Sequence, residues 1–310
     1  MSPYKQAWVK VGNIFDPASF NLDPNLESYA ANPVAVRLKD SIFRVFYSGR
    51  NKHNKSSIGA IDIDLETFKV LKVFKKPLAT FGITPNFYSD GISLGNFFQL
   101  DEKKILTFMG WSEVTENSWK GSIGYILLDN NLLIKEIFPN PVLSPNDSID
   151  PVSLSYPCVV KSEQIYMWYG STSIDENSTN SFRHKIHLAV SNDGTNWLKK
   201  GAIKFLDHKK EYLYSRPTTI VINNSFLMWY SYRLPYSKYY KIGFSKSTNG
   251  FEWSDAKDSS CFEKSDEGWD SEMIEYPYAL KYKGKIFIFY NGNNYGQSGI
   301  GIAYAKINDL

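Results

Sequence analysis

The sequence contains two carboxylic acids, Asp90 and Glu275, that stand at matching points of a repeated pattern, each at the start of a short apolar run. Two carboxyl groups on either side of a bound ligand can carry out acid–base chemistry when one is held protonated and the other is ionised. Glu275 lies beside Tyr276 in the sequence, and we assign it as the acid. Asp90 is then the base.

Arginine, aromatic and amide side chains occupy the equivalent points of the other repeats. Guanidinium groups bind carboxylates and phosphates, whereas aromatic faces and planar polar groups bind the C–H surfaces and hydroxyls of sugars. This mixture predicts a pocket for a small-molecule carbohydrate or sugar nucleotide, and the arginines favour an anionic one. The residues expected to bind it are Asn32, Arg50, Trp111, Asp150, Tyr156, Arg216, Arg233, Asp270, Glu272, Tyr276, Asn291 and Asn293.

The arginines also admit a structural interpretation. Arg216 could neutralise Asp90 or Glu275, because buried charges need partners, and Arg50 and Arg233 could each form a surface ion pair. Arg216 opens one strand of a hairpin, and Arg233 ends the neighbouring strand. If these arginines bind ligand instead, we expect an anion to lie between them.

These positions correspond because a unit of about 60 residues occurs five times. Each unit opens with a short apolar run, continues into a second run rich in aromatic residues, such as IYMWYGS or IFIFYNGN, and adds a third. The openings are Asn32-Pro33, Asp90-Gly91, Tyr156-Pro157, Arg216-Pro217 and Tyr276-Pro277. A strand–turn–strand repeat of this length is typical of propeller blades. We therefore predict an all-β fold, a five-bladed β-propeller in one domain over residues 1–310.

The N-terminus is expected to close the ring of blades. Its sequence AWVKVGN resembles NWLKKGA at the end of the third repeat, whereas the fifth repeat stops after its third strand, at Ala305-Lys306. We predict that residues 7–15 supply the missing outer strand of the last blade, which leaves no long unpaired edge. In such a ring, the start of each blade's first strand and the end of its second strand lie on the same face of the ring. The candidate residues should then converge on a funnel at the axis.

Composition excludes several other functions. The net charge is +3 with both signs interspersed, so no nucleic-acid partner is expected. No apolar run approaches the length of a membrane span, and the N-terminus lacks the apolar stretch of a signal peptide, so we predict a cytoplasmic protein with Cys158 as a buried, reduced thiol.

The four histidines are scattered, and His184 and His187 cannot both face inward on one strand. We predict no metal site and no organic cofactor, although a central cation or inorganic phosphate would be compatible with the funnel.

The turns SNDGTNW and STNGFEW, together with the strand-opening motif, make the whole chain resemble the five-bladed propellers of glycoside hydrolase families 43, 32, 68, 62 and 130. The segments GWDSEM-x-x-YPY and FYNGN-x-YG-x-x-GIG (268–302) resemble a narrower group of uncharacterised propellers from bacterial surface-polysaccharide gene clusters. The resemblance implies a carbohydrate-active enzyme, a glycoside hydrolase or a phosphorylase- or transferase-like protein, in surface-glycan metabolism.

The chain departs from the family pattern at two points. Family 43 enzymes have a catalytic base in an Asp-Pro pair where this sequence has Asn32-Pro33, and a general-acid Glu where it has Arg216. An amide cannot serve as the base. The remaining carboxylates are Asp90 and Glu275, which could form the pair, and Asp150, Asp270 and Glu272 on the loops that enter the strands. The family 130 resemblance implies that basic residues could hold inorganic phosphate as the nucleophile. The alternative to an enzyme is a propeller that binds a glycan or sugar nucleotide without cleaving it.

Overall fold

The computed structural model describes residues 8–115, 118–146, 148–175, 178–206, 212–255 and 262–309. Within these ranges the chain consists of β-strands and short 3-10 turns, without an α-helix. Aromatic and β-branched residues alternate with polar ones along the runs, a pattern that packs well on a pleated sheet. The predicted all-β class is confirmed. No helix in these ranges is long and apolar enough to span a bilayer.

The strands form five antiparallel groups, which we number along the chain, and one strand, β1 (Val9–Phe15), precedes them. Group one contains β2 (Ser28–Lys39), β3 (Ile42–Arg50), β4 (Ser56–Asp64) and β5 (Lys69–Val73). Group two contains β6 (Gly91–Leu100), β7 (Lys103–Thr115), β8 (Ser118–Leu128) and β9 (Ile134–Ile137). Group three contains β10 (Ser153–Lys161), β11 (Ile165–Asp175), β12 (Ser178–Ser191) and β13 (Leu198–Ala202).

The short strand β14 (Lys204–Phe205) pairs in parallel with the last strand of group four. Group four contains β15 (Leu213–Ile222), β16 (Ser225–Arg233), β17 (Lys241–Ser247) and β18 (Glu252–Asp255). Group five contains β19 (Glu275–Tyr282), β20 (Lys285–Asn291) and β21 (Ile300–Lys306). The 3-10 turns are Pro17–Ser19, Pro24–Leu26, Asn294–Gly296 and Ile307–Asp309. A single parallel bridge between Ser56 and Gly91 joins groups one and two into one eight-stranded sheet.

The N-terminal strand β1 completes the sheet of group five. It pairs antiparallel with β21, from Val9 opposite Tyr304 to Phe15 opposite Ile300, so the sheet order is β1-β21-β20-β19. The prediction that the N-terminus supplies the outer strand of the last unit is confirmed over Val9–Phe15, whereas Ala7 lies outside the described residues. Phe15 also packs against Tyr47 of group one, with ring centroids 5.3 Å apart. The strand thus contacts the first and last groups.

The first strand of each group carries a bulge that breaks its pairing with the second strand. In four groups the bulge falls on an X-Pro pair, and proline suits this place because it has no N–H to donate to the ladder. The residue before each proline has a left-handed backbone, a conformation that is uncommon for side chains other than Asn, Asp or Gly and is concentrated at functional sites. These residues are Asn32 (φ 55°), Tyr156 (φ 43°), Arg216 (φ 50°) and Tyr276 (φ 52°).

The bulge of group two corrects the repeat alignment. The pairing shifts between Leu94 and Phe97, so the equivalent of the X-Pro pairs is Gly95-Asn96 and not Asp90-Gly91. The Asn96 side chain holds the neighbouring group: its Nδ2 donates to the Val159 carbonyl at 2.8 Å, and its Oδ1 accepts from the Val159 N–H at 2.9 Å. Asp90 therefore precedes β6 and is not the counterpart of the residues above.

The two predicted serine-glycine turns are confirmed. In each, a serine Oγ accepts a hydrogen bond from a glycine N–H, Ser191 from Gly194 at 2.9 Å and Ser247 from Gly250 at 2.8 Å. The glycines have φ of 73° and 76°, where an L side chain would be strained. The carbonyl of Gly250 then accepts from Nε1 of Trp168 at 2.8 Å, so the turn of group four is fixed to the core of group three.

Candidate functional site

The strand register places the start of each first strand beside the end of the second. Leu213 pairs with Arg233 in group four, and Glu275 pairs with Asn291 in group five. Group one follows the same rule with Ser28 opposite Arg50. The candidate residues therefore share one end of their sheets, as the hairpin argument predicts.

Glu275 is the unusual member of this set. The residue just before the bulge is Ala31, Leu94, Ser155 or Ser215 in the other groups, and Glu275 alone carries a charge there. Its side chain has no exposed surface, and neither carboxyl oxygen has a hydrogen-bond partner among the described residues. A buried carboxyl without donors favours its neutral form.

Burial accordingly raises the pKa of Glu275 well above its ordinary value of 4.5. The positive charges of Arg233 and Arg50 lower this pKa, but by less than burial raises it. Neither guanidinium donates a hydrogen bond to the carboxyl. Burial thus favours the protonated form of Glu275, although two cations lie nearby.

Two tyrosines from different groups meet beside this acid. The hydroxyls of Tyr156 and Tyr276 lie 3.3 Å apart, and their ring centroids are separated by 5.3 Å. Burial raises the pKa of both phenols, and the charge of Glu275 contributes to the increase. The phenols therefore remain neutral hydrogen-bond donors. We call Glu275, Tyr156, Tyr276, Arg50 and Arg233 the Glu275 cluster.

The two arginines of the cluster lie against aromatic rings. The Arg50 guanidinium lies 4.8 Å from the ring centroid of Tyr29, and that of Arg233 lies 5.3 Å from the centroid of Tyr240. Nη1 of Arg233 also donates to the Ser237 carbonyl at 2.6 Å, whereas its buried Nε has no partner in the described ranges. Neither arginine forms an ion pair with a described carboxylate, so the surface-ion-pair alternative is not what the structure contains.

Arg216 has a different position from the one predicted. It is 1% exposed, and Nη2 donates to the Pro33 carbonyl at 3.1 Å while Nη1 donates to that of Leu94. Burial lowers its pKa to about 10. The guanidinium thus connects groups one, two and four through main-chain carbonyls. Within the described ranges it has no carboxylate partner, and its terminal nitrogens are engaged and not available for an anion shared with Arg233.

Asp90 belongs to a separate cluster. Its carboxylate forms an ion pair with Lys55 at 2.8 Å and accepts from the Glu113 N–H at 2.9 Å. Burial raises its pKa, but the bonds from Lys55 and Glu113 outweigh burial and the net shift is downward, so Asp90 is ionised. Trp111 lies nearby, with Nε1 donating to Oγ of Ser56 at 3.2 Å. No described contact joins Asp90 to Glu275.

Asp150 and Asp270 anchor the loops that precede their strands. Both are fully buried. Asp150 accepts from Tyr169 at 3.0 Å and pairs with Lys199 at 2.6 Å and His187 at 2.8 Å. Burial would raise its pKa, but the bonds from His187, Lys199 and Ser171 lower it to about 2.

Asp270 repeats this arrangement with Tyr290 at 3.0 Å and Lys10 at 2.6 Å. Lys10 and Lys199 occupy the same place in the similar sequences AWVKVGN and NWLKKGA. Because both carboxylates are enclosed and engaged, their placement favours anchoring over substrate binding.

Replacing Lys199 with Met tests this anchoring role. We expect a loss of about 3–5 kcal/mol in the free energy of unfolding, because the Asp150 carboxylate would stay buried without its closest cation. Urea denaturation measures the change. The exposed neighbour Lys200 provides the matched control, since Lys200→Met should change stability by less than about 0.5 kcal/mol. Equal effects of the two substitutions would contradict the assignment.

The asparagines and Glu272 also have structural contacts. Nδ2 of Asn291 donates to the carbonyls of Ala30 and Gly299 at 2.8 and 2.7 Å, and its Oδ1 accepts from the Asn32 N–H at 3.0 Å, which connects groups five and one. Oδ1 of Asn293 accepts from the Glu272 N–H at 2.8 Å. The Glu272 side chain is exposed, and the buried Oδ1 of Asn32 has no described partner.

Two neighbours of the Glu275 cluster are absent from the sequence predictions. Burial raises the pKa of Tyr240 to about 12, and the charge of Glu275 adds to the shift. Burial and then the charge of Arg233 lower the pKa of His184 to about 4. The alternation of residues along the strand could have indicated His184, because His184 pairs with Thr172 near the end of β11. Tyr240 lies in a loop and has no such signal.

The thiol of Cys158 is buried, as predicted, and burial raises its pKa to about 11. It accepts a hydrogen bond from the Thr219 N–H at 3.2 Å, whereas Cys261 lies outside the described residues. In the described ranges, no three His, Cys, Asp or Glu side chains are grouped as a metal ion would need.

Comparisons with known proteins give a family and a fold. No protein-family model matches the chain. Two proteins of Mycobacterium tuberculosis, uncharacterized protein MT1551 of strain CDC 1551 and uncharacterized protein Rv1502 of strain H37Rv, are each 32% identical to it over 300 residues, which cover 96% of this chain and 98% of each relative.

Solved structures of glycoside hydrolases share its fold at low sequence identity. The structure of BT0996 in an RGII complex has a TM-score of 0.77 at 15% identity, and the match covers 98% of this protein and 93% of BT0996. A glycoside hydrolase matches with 0.76 at 15% identity, covering 96% and 91%, and a thermostable family-43 glycoside hydrolase with 0.66 at 10%, covering 89% and 88%. The chain therefore has the propeller fold of these solved structures.

Proposed function

The chain belongs to the family of the mycobacterial proteins MT1551 and Rv1502, and we propose that it is a carbohydrate-active enzyme whose general acid is Glu275. The observation that carries this proposal is the buried Glu275 carboxyl, which has no hydrogen-bond donor in the described ranges. A core position would not retain an unpartnered carboxyl without a reason, because its burial is unfavourable. General acids of glycosidases are held protonated by this kind of environment.

The proposed architecture is a five-bladed ring in one domain over residues 1–310, with each strand group as a blade and β1 as the closing strand. Pairing of β1 with β21 and packing of Phe15 on Tyr47 support it. So does the contact of Arg216 with carbonyls of groups one and two. In this arrangement the Glu275 cluster lies in the funnel at the axis.

The proposed reaction is cleavage of a glycosidic bond. Glu275 gives its proton to the glycosidic oxygen as the bond between that oxygen and the anomeric carbon breaks. A water molecule adds to the anomeric carbon, and an ionised group takes its proton. Asp90 is ionised and is the proposed base. Phosphate in place of water would need no protein base, and the product would then be a sugar phosphate.

The proposed substrate is anionic. Arg50 and Arg233 have no carboxylate partner in the described ranges, and burial favours the neutral form of the Glu275 carboxyl near them. A carboxylate or phosphate on the sugar would complement this excess positive charge. We assign anion binding to Arg50 and Arg233 in place of the pair Arg216 and Arg233. Surface-glycan metabolism in the cytoplasm would supply such a substrate.

Product analysis tests this function. The protein is incubated with glycosides and disaccharides of uronic acids, nonulosonic acids and sugar phosphates, with and without inorganic phosphate, and products are separated by mass spectrometry. We expect release of one anionic sugar, as the free sugar for hydrolysis or as its 1-phosphate for phosphorolysis. Thermal stabilisation by a ligand without any product would contradict the enzymatic proposal.

That outcome would support the second candidate, a propeller that binds a glycan or sugar nucleotide without cleaving it. Two observations favour this alternative. The Glu275 carboxyl has no exposed surface, and Arg216 occupies the position of the family's acid while donating to main-chain carbonyls.

A further inference from the structure

The hairpin of β11 and β12 extends beyond the sheet of group three at the end that holds the Glu275 cluster. Residues that pair directly across it have side chains on the same face, and this face alternates along each strand. Trp168, Thr172 and Ile174 are two or four residues apart in β11 and therefore share one face, on which His184 and Phe182 oppose Thr172 and Ile174. The hairpin thus presents a continuous row of residues on a single face.

The inner part of this face packs against group four. Trp168 contacts Phe226 and Trp253, with ring centroids 5.3 and 5.8 Å away. The same face must continue over the end of β16, where Arg233 lies. Leu213, the first residue of β15, pairs with Arg233, and β15 contacts both β11 and β12, so this face continues towards Arg233.

The middle of the face is polar and preorganised. Oγ1 of Thr172 and Nδ1 of His184 lie 3.0 Å apart and form a hydrogen bond. This bond engages Nδ1 and fixes the imidazole ring, so a ligand would have to bind through Nε2. Because burial and Arg233 lower the pKa of His184 to about 4, the ring is neutral at physiological pH and does not compete with Arg233 for the same anion.

The outer part of the face is hydrophobic although it is exposed to solvent. Ile174 is 58% exposed and Phe182, directly opposite, is 53% exposed. An aromatic and a branched aliphatic side chain at the tip of a hairpin gain little from packing there. They present exposed apolar side chains, which are suited to binding the C–H face of a sugar ring.

We propose that this hairpin face is a second sugar subsite, in which His184 hydrogen-bonds a hydroxyl and Phe182 and Ile174 stack on the ring next to the anionic sugar. The proposal rests on the proposed function, because it places the first sugar in the Glu275 cluster. The order along the face, from Arg233 through His184 to Phe182, matches an anionic residue followed by a neutral one. The substrate is therefore at least a disaccharide.

Isothermal titration of Phe182→Ala tests the subsite. The probes are glucuronic acid, N-acetylneuraminic acid and glucose 6-phosphate, each as the free monosaccharide and as a disaccharide with one neutral hexose. The wild type should bind at least one disaccharide more tightly than its monosaccharide. Phe182→Ala should weaken that disaccharide roughly tenfold and leave the monosaccharide unchanged, since only the stacked ring loses its contact.

Leu198→Ala serves as the control, because Leu198 is 60% exposed and pairs with Val190, at the opposite end of β12 from Phe182. His184→Gln should weaken the disaccharide as well, by loss of the ring fixed by Thr172. If Phe182→Ala keeps the wild-type ratio of disaccharide to monosaccharide affinity, or weakens both forms equally, the subsite is wrong while the proposed function stands. If the wild type binds none of the probes, the anionic-sugar function fails, and the subsite fails with it.

Discussion

Replacing Glu275 with glutamine should lower kcat about 10²–10⁴-fold while sugar binding is retained, because the amide keeps the shape of the carboxyl but has no proton to give to the leaving oxygen. The comparison of kcat with the dissociation constant of the substrate separates the two effects. Glu272→Gln is a matched control three residues away, since the Glu272 side chain is exposed. Wild-type turnover of Glu275→Gln would remove Glu275 as the acid.

The same substitution should raise stability at neutral pH. Folded Glu275 retains its proton at pH values where the unfolded chain has released it, because burial raises its pKa well above 4.5. Stability therefore falls as the pH rises from about 4.5 through the raised pKa of the folded state. Glutamine removes this loss, so the denaturation midpoints of wild type and variant should diverge as the pH increases from about 4 to about 8. Parallel midpoints over that range would mean that the carboxyl is ionised in the folded protein.

The pH dependence of activity follows from the same acid. The proposed mechanism needs protonated Glu275 and ionised Asp90, whose pKa lies below its ordinary value. Activity should therefore decline at high pH as Glu275 loses its proton, and at low pH as Asp90 gains one. The pH profile of kcat/KM measures both limits.

The fold was largely predictable because the repeat contains the same hairpin several times. The pairing of β1 with β21 followed from the likeness of AWVKVGN to NWLKKGA, in which Lys10 and Lys199 bind equivalent buried aspartates. The alignment of group two was not predicted, because Gly95-Asn96 replaces the X-Pro pair. The spacing of the openings contained a signal of this error. With the second opening at position 91, its distances to the openings at 33 and 157 are 58 and 66 residues, whereas position 96 gives more even distances of 63 and 61 residues.

The roles of charged residues were less predictable from the sequence. The same side chain can bind a ligand or stabilise the protein interior, and its tertiary contacts decide which. Arg216 and Glu275 occupy adjoining places in equivalent bulges, yet the guanidinium donates to carbonyls whereas the carboxyl has no described partner. Asp150 and Asp270 lie on loops, where exposure was expected, but lysines from outer strands enclose them. Sequence distance between Lys10 and Asp270 hides that contact.

Deleting residues 1–15 should destabilise the whole protein, because β1 provides contacts to both the first and the last strand group. The deletion removes the ladder with β21, the ion pair of Lys10 with Asp270, and the buried Phe15 ring that packs on Tyr47. The lost ion pair alone leaves a buried carboxylate and costs about 3–5 kcal/mol, and Phe15 adds roughly 1.5–3 kcal/mol of lost burial. Such a sum is comparable to the total stability of many domains.

The way in which the truncated protein unfolds distinguishes a closed ring from a row of sheets. In a closed ring, tryptophan fluorescence and far-UV circular dichroism should report one common midpoint, shifted to much lower denaturant, because every group depends on closure. Deletion of residues 1–7 alone is the control, since it spares Trp8, Lys10 and the pairing of β1. An unchanged midpoint, or an early transition confined to group five while the other groups unfold as in the wild type, would mean that β1 only extends the last sheet and does not close the ring.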